Sequence, residues 1–146
     1  MPRSNRTLTQ FAVHRISCIL DKGTGVSPES DSAGNTEVST RFGQAFVKLF
    51  GKEILSLSFD DEGVSTVTVR SGDFYDSSGR PSRTTRERLN GLLDLLGGRG
   101  VIPEGVRVFV KEDGSCFVGK GDDCKRFDAS SDQILILSHP RNLVFS

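Results

Sequence analysis

The chain has no tryptophan, one tyrosine and one methionine, so its 10 phenylalanines carry nearly all the aromatic surface and are expected to anchor the core. It also lacks a surplus of either charge. Lys and Arg number 19 against 19 Asp and Glu, for a formal net charge of +0. Proteins that bind nucleic acid or membrane surfaces without specificity depend on a basic surplus, so the balance counts against both kinds of partner. Cysteines are few: Cys18, Cys116 and Cys124 are widely spaced and form no C-x-x-C. With only His14 and His139 beside them, reduced thiols packed in the core are expected rather than a zinc site. No apolar run reaches the length of a membrane span, and the first residues do not read as a secretory signal, so a cytoplasmic protein is expected.

Catalytic patterns are missing too. The sequence contains no G-x-S-x-G, Walker A loop or H-E-x-x-H, and its two histidines stand apart. The carboxylates gather at Asp60-Asp61-Glu62, Glu112-Asp113 and Asp122-Asp123, where they read as solvated turn caps. A metal-dependent phosphodiester hydrolase using Asp60, Asp61 or Glu112 is the least favoured alternative. The expectation is a protein that is not an enzyme and needs no cofactor.

At 146 residues the chain has the length of one domain, residues 1–146, with enough buried surface for a core without staples. The β-branched run from Phe11 to Leu20 reads as a strand, and Asp21 to Thr40, rich in Gly, Ser and acids, as a flexible loop. Alternation then predicts strands over Phe46–Phe50, Glu53–Phe59 and Val64–Arg70, with turns at Gly51-Lys52 and Asp60–Gly63. A helix is predicted over about 84–97. Thr84 and Glu87 form a capping box, Leu89, Leu92, Leu93 and Leu96 make one apolar face, and Gly97-Gly98 stops it. Val106–Lys111 and Ser115–Gly119 read as a second hairpin, Ile134–Leu137 as a short buried strand, and Leu143–Phe145 as a closing strand. Together these predict an α+β fold: an antiparallel meander and a hairpin on one main helix.

The segment from Arg70 to Asn90 concentrates positive charge in an otherwise balanced chain. It holds Arg70, Arg80, Arg83, Arg86 and Arg88 and includes the predicted helix start, where free amides and the helix dipole favour an anion. Guanidinium forks suit phosphate geometry, and Phe74 or Tyr75 could stack on a base. The candidate ligand-binding residues are Arg70, Phe74, Tyr75, Arg83, Thr84, Thr85, Arg86, Arg88 and Asn90. A competing reading is structural: Thr84 caps the helix, Phe74 plugs the core, and Arg86 and Arg88 are solvated, with Arg83 or Arg86 paired to Glu87. Asn90, a poor mid-helix residue, would then hold the preceding loop by a side-chain hydrogen bond.

The strings R-F-G-Q-A-F-V (Arg41–Val47), I-L-S-L-S (Ile54–Ser58), S-G-D-F-Y (Ser71–Tyr75) and T-T-R-E-R-L-N (Thr84–Asn90) resemble a group of small bacteriophage proteins. The nearest named family is the anti-Thoeris sponges. That resemblance, over roughly residues 41 to 119, implies a homo-oligomer in the host cytoplasm that sequesters cyclic ADP-ribose or cyclic oligonucleotides without cleaving them. Asp76–Pro81 looks like an insertion relative to the family pattern. The leading expectation is therefore a phage counter-defence sponge for a small phosphorylated nucleotide. The alternative is a protein or nucleic-acid interaction module using the same arginine-rich face.

Overall fold

The computed structural model describes residues 4–23, 27–129 and 133–137. The fold is α+β, as the sequence predicts, but a second helix stands where a strand was expected. Helix α1 runs from Asn5 to Lys22, capped by the Ser4 hydroxyl, which accepts from the Thr7 amide at 3.1 Å. Its buried residues, Leu8, Ala12, Ile16 and Ile19, recur at helical spacing. The strand reading of Phe11–Leu20 began one turn too late to include Leu8. It also placed His14 on the apolar side, whereas His14 is exposed.

The expected loop over residues 21–40 is also corrected. Strands β1 (Glu29–Ala33) and β2 (Thr36–Arg41) occupy its second half and form an antiparallel pair. Polarity concealed them, because two of the inward positions of β2 are threonines. Thr40 donates to the Ser27 carbonyl at 2.8 Å and accepts from the Glu29 amide, so its burial leaves no orphan group.

The predicted meander is present as β3 (Gln44–Leu49), β4 (Lys52–Asp60) and β5 (Gly63–Arg70). Val47, Leu49, Leu55, Leu57, Val67 and Val69 point to the core, while Glu37, Phe46, Lys48, Ser56 and Thr68 lie on the outer face. A bulge between Val47 and Lys48 turns both Ile54 and Leu55 inward.

Both turns that flank β3 are Phe-Gly pairs at positive φ: Phe42 (46°) with Gly43 (76°), and Phe50 (51°) with Gly51 (80°). The second turn thus lies one residue earlier than predicted. This geometry twists correctly into a hairpin but favours Asn or Gly at its first position. A phenylalanine there costs about 1 kcal/mol in backbone strain.

Helix α2 spans Arg83–Gly98, and Ser82 rather than Thr84 caps it: the Ser82 hydroxyl accepts from the Thr85 amide at 3.2 Å. Gly100 (φ 72°), not Gly97-Gly98, ends it. The Gly100 amide donates to the Gly97 carbonyl and the Val101 amide to the Leu96 carbonyl, the paired bonds of a Schellman ending. The two helices cross where Gly91 faces Thr9, and any side chain at Gly91 would overlap the Thr9 methyl group. Beyond α2 come β6 (Arg107–Val110), β7 (Cys116–Lys120) and β8 (Asp123–Arg126), a three-stranded antiparallel sheet one strand larger than the expected hairpin. Strand β9 (Gln133–Leu137) returns to pair with β5, completing a six-stranded sheet ordered β1-β2-β3-β4-β5-β9. The expected strand at Leu143–Phe145 lies outside the described residues.

Both helices, the inner face of the large sheet and the small sheet share one core cluster. That core is aliphatic, contrary to the phenylalanine expectation. Phe127 is fully buried, whereas Phe42, Phe50 and Phe74 are exposed. The cysteines among the described residues are free thiols, and burial pushes the Cys116 thiol above its ordinary pKa.

Candidate ligand-binding site

The start of α2 was expected to present an arginine cradle to an anion. Its side chains divide instead between the interior and the surface. Arg88 is fully buried, and among the described residues no carboxylate forms an ion pair with its guanidinium. Its Nη1 donates to the Asn5 carbonyl (3.0 Å), Asn5 Oδ1 (2.8 Å) and Thr9 Oγ1 (2.5 Å). Its Nε donates to Thr36 Oγ1 and its Nη2 to Asn35 Oδ1, both at 3.1 Å. One side chain thereby ties α2 to the first turn of α1 and to the β1–β2 connection. Burial lowers the Arg88 pKa, and the charge of Glu87 opposes the shift.

Thr85 is buried beneath the Ser82 cap, its hydroxyl 2.9 Å from that of Ser82. Asn90 holds backbone, but that of β6, which follows the helix, and not the preceding loop expected of it: Nδ2 donates to the Val108 carbonyl at 3.0 Å and Oδ1 accepts from the Val108 amide at 2.7 Å. None of Thr85, Arg88 and Asn90 is oriented for a ligand at the helix start.

Among the outward residues, Arg83 pairs with Glu87 at 2.8 Å, the solvated arrangement the competing reading anticipated, and its side chain remains 85% exposed. Glu87 is also bonded to the Asn5 side-chain amide, and these two donors hold its carboxyl below the ordinary value. Thr84 is half-buried and makes no side-chain bond among the described residues.

The anion beside Arg80 and Arg86 comes from the chain itself. Asp76 Oδ2 lies 2.8 Å from Arg80 Nε and 4.0 Å from Arg86 Nη2, while Arg86 Nε donates to the Pro81 carbonyl. Asp76 Oδ1 accepts from the amides of Ser78 and Arg80. Burial alone would raise the Asp76 pKa, but the two amides and the Arg80 guanidinium outweigh it, so the net shift is downward. The insertion read at Asp76–Pro81 thus supplies a carboxylate at the position expected for a phosphate.

Arg70, Phe74 and Tyr75 gather elsewhere, at the sheet end where β4 begins and β5 finishes. There an open hollow of about 330 Å³ is lined by Lys52, Glu53, Arg70, Gly72 and Asp73. Arg70 Nε meets Glu53 at 2.7 Å, and Lys52 meets Asp73 at 3.2 Å. Phe74 leans on Phe50 with ring centroids 4.8 Å apart and tilted planes. The Tyr75 hydroxyl donates to the Gly72 carbonyl at 2.8 Å and lies 2.7 Å from Ser71 Oγ, which anchors the side chain to the Ser71-Gly72 backbone turn. Gly72, at φ 71°, lets the backbone turn here without a side chain against Ile54.

Sequence reasoning missed Phe50 and Lys52. The visible signal was the Phe-Gly pair itself, an aromatic in a turn position that prefers Asn. Among the described residues, no three His, Cys, Asp or Glu side chains converge as metal ligands. Asp60 and Asp61 lie at the β4–β5 turn, and Glu112 at the β6–β7 turn of the other sheet. No helix among the described residues is long and apolar enough to cross a membrane. Compared with known proteins, the chain matches no family model, no curated protein and no solved structure.

Proposed function

We propose that the chain is a non-enzymatic binder of a small phosphate-bearing nucleotide, and that the ligand sits at the sheet end beside Arg70 rather than at the start of α2. One observation carries this reading. Arg70 and Lys52 line one hollow with Glu53, Gly72 and Asp73, and the chain runs directly from that lining into Phe74, which packs on Phe50, and Tyr75, whose hydroxyl donates to the Gly72 carbonyl. In the hollow the Arg70 Nη groups and Lys52 neutralise phosphate, and the half-exposed ring of Phe74, braced by Phe50, offers a face for a base. The competing carboxylates are not prohibitive. An exposed pair such as Lys52–Asp73 contributes less than about 1 kcal/mol, so a phosphate can displace it. Recruiting Arg88 would instead strip a buried cation of all its acceptors. The biological role consistent with this chemistry is sequestration, as in a phage counter-defence sponge acting in the host cytoplasm as a homo-oligomer.

Thermal shift against a panel of cyclic nucleotides and cyclic ADP-ribose isomers tests the proposal, followed by chromatography of the ligand released on heating. A raised melting temperature through mass action, with intact ligand recovered and the shift lost in Arg70→Ala and Phe74→Ala, is the expected result. Cleaved ligand would make the protein an enzyme. A shift indifferent to both substitutions, or no shift across the panel, would overturn this reading.

A further inference from the structure

Phe42 is the second strained aromatic, at the end of β3 opposite Phe50, and 87% of its surface is exposed. Neither local geometry nor burial accounts for it. The backbone favours Asn or Gly at this position, and among the described residues no ring packs on Phe42 as Phe74 packs on Phe50. A residue that breaks local preference without a gain inside the fold points to a role outside it.

The surroundings indicate what meets it. The adjacent β4–β5 turn carries Asp60, Asp61 and Glu62, and the Phe59 amide donates to the Gly43 carbonyl at 2.9 Å, so the two turns lie side by side. Arg41 and Gln44 flank the Phe42 turn and also line a second hollow, of about 540 Å³, on the outer face of the sheet. Phe46 lies within that lining, and Lys48 is engaged there by Glu37 at 3.9 Å. Arg41 makes no ion pair among the described residues. One face therefore carries an aromatic tip with an acidic flank beside a hollow with an unengaged cation. The formal net charge of +0 adds no long-range repulsion between copies.

We infer that this face pairs with a second copy of the chain. Each Phe42 enters the other copy's hollow toward Phe46, and each Asp60–Glu62 turn meets the partner's Arg41. Such a contact is self-complementary and closes after two copies. It gives the homo-oligomer of the proposed function a defined interface; its hollow shares Glu53 with the nucleotide hollow, while Phe42 and Arg41 lie at the opposite end of β3 from Lys52.

Sedimentation velocity over a micromolar concentration series tests it. The expected mass rises from 15.9 kDa towards twice that value, and the association weakens with salt. Phe42→Asn should weaken pairing roughly tenfold or more. In dilute samples, where both proteins are monomers, it should raise the melting temperature by roughly 2–4 °C, because Asn suits the turn. Arg41→Glu should dissociate the pair, and adding Asp61→Lys should restore it. A mass of 15.9 kDa throughout, pairing unchanged in Phe42→Asn, or a lowered monomer melting temperature in that variant would each overturn the inference. Nucleotide-dependent melting, read on the same variants, separates the two proposals: it depends on Arg70 and should survive Phe42→Asn.

Discussion

The inward and outward faces of the first turns of α2 carry almost the same chemistry and do opposite things. Arg83, Thr84 and Arg86 face outward, one held by Glu87 and another beside Asp76. Thr85, Arg88 and Asn90 come from the same short string, yet they hold the cap, the α1–α2 junction and the small sheet. A cluster of cations in sequence is therefore not a cluster in space. A helix turns 100° per residue, so neighbouring arginines separate, and whichever lands on the packed side must find acceptors or unfold the site.

The sharpest test of the contrast is Arg88→Ala. It removes a buried guanidinium and leaves Thr36 and the side chains of Asn5, Asn35 and Thr9 without that partner. A loss of about 3 kcal/mol in denaturant-derived stability is expected, and a loss below about 1 kcal/mol would erase the distinction between the two faces. Asn90→Ala should cost about 1–2 kcal/mol by freeing both peptide groups of Val108. Amide exchange at Val108 should accelerate more than elsewhere, and uniform acceleration would count against a local tether.

Smaller effects are expected outside. The Asp76 pKa is depressed in the folded state, so its contribution to stability is fully present above the ordinary value of 3.8 and is lost as pH falls through the folded value. Glu87 behaves alike from its ordinary value of 4.5. Melting temperatures should accordingly fall on acidification into this range, and Asp76→Asn should flatten part of that fall. Identical acid profiles in the two proteins would remove Asp76 from the account. Arg83→Ala, at an exposed pair, should change stability by less than about 0.5 kcal/mol.

How much was legible follows from the same physics. Period-two alternation with aliphatic inward positions located β3 to β5, and the Leu89-Leu92-Leu93-Leu96 stripe located α2. Where threonine took inward positions, as in β2, the pattern was invisible to a reading based on apolarity. In α1 the β-branched residues of FAVHRISCIL mimicked a strand, and the helical stripe emerges only with Leu8 included. The true cap, Ser82, lies two residues before Thr84, whose capping-box spacing to Glu87 points to the later hydroxyl. For the site, Arg70, Phe74 and Tyr75 were readable as residue types, but Lys52 meets Arg70 only through the pairing of β4 with β5, and Phe50 meets Phe74 only through a ring contact. The inward turn of Arg88 depends on acceptors far away in sequence, at Asn5 and Asn35, and no local pattern encodes them.

The Asn90 clamp has one more consequence, for how the molecule behaves in a crowd. Strand β6 borders the small sheet, and a border strand with open peptide groups is a template on which another chain can polymerise. At the middle of β6 the side-chain amide of Asn90 takes both the carbonyl and the amide of Val108, imitating the strand that is not there. A four-residue strand plugged at its centre offers an incoming β-segment too short a ladder to seed a fibril.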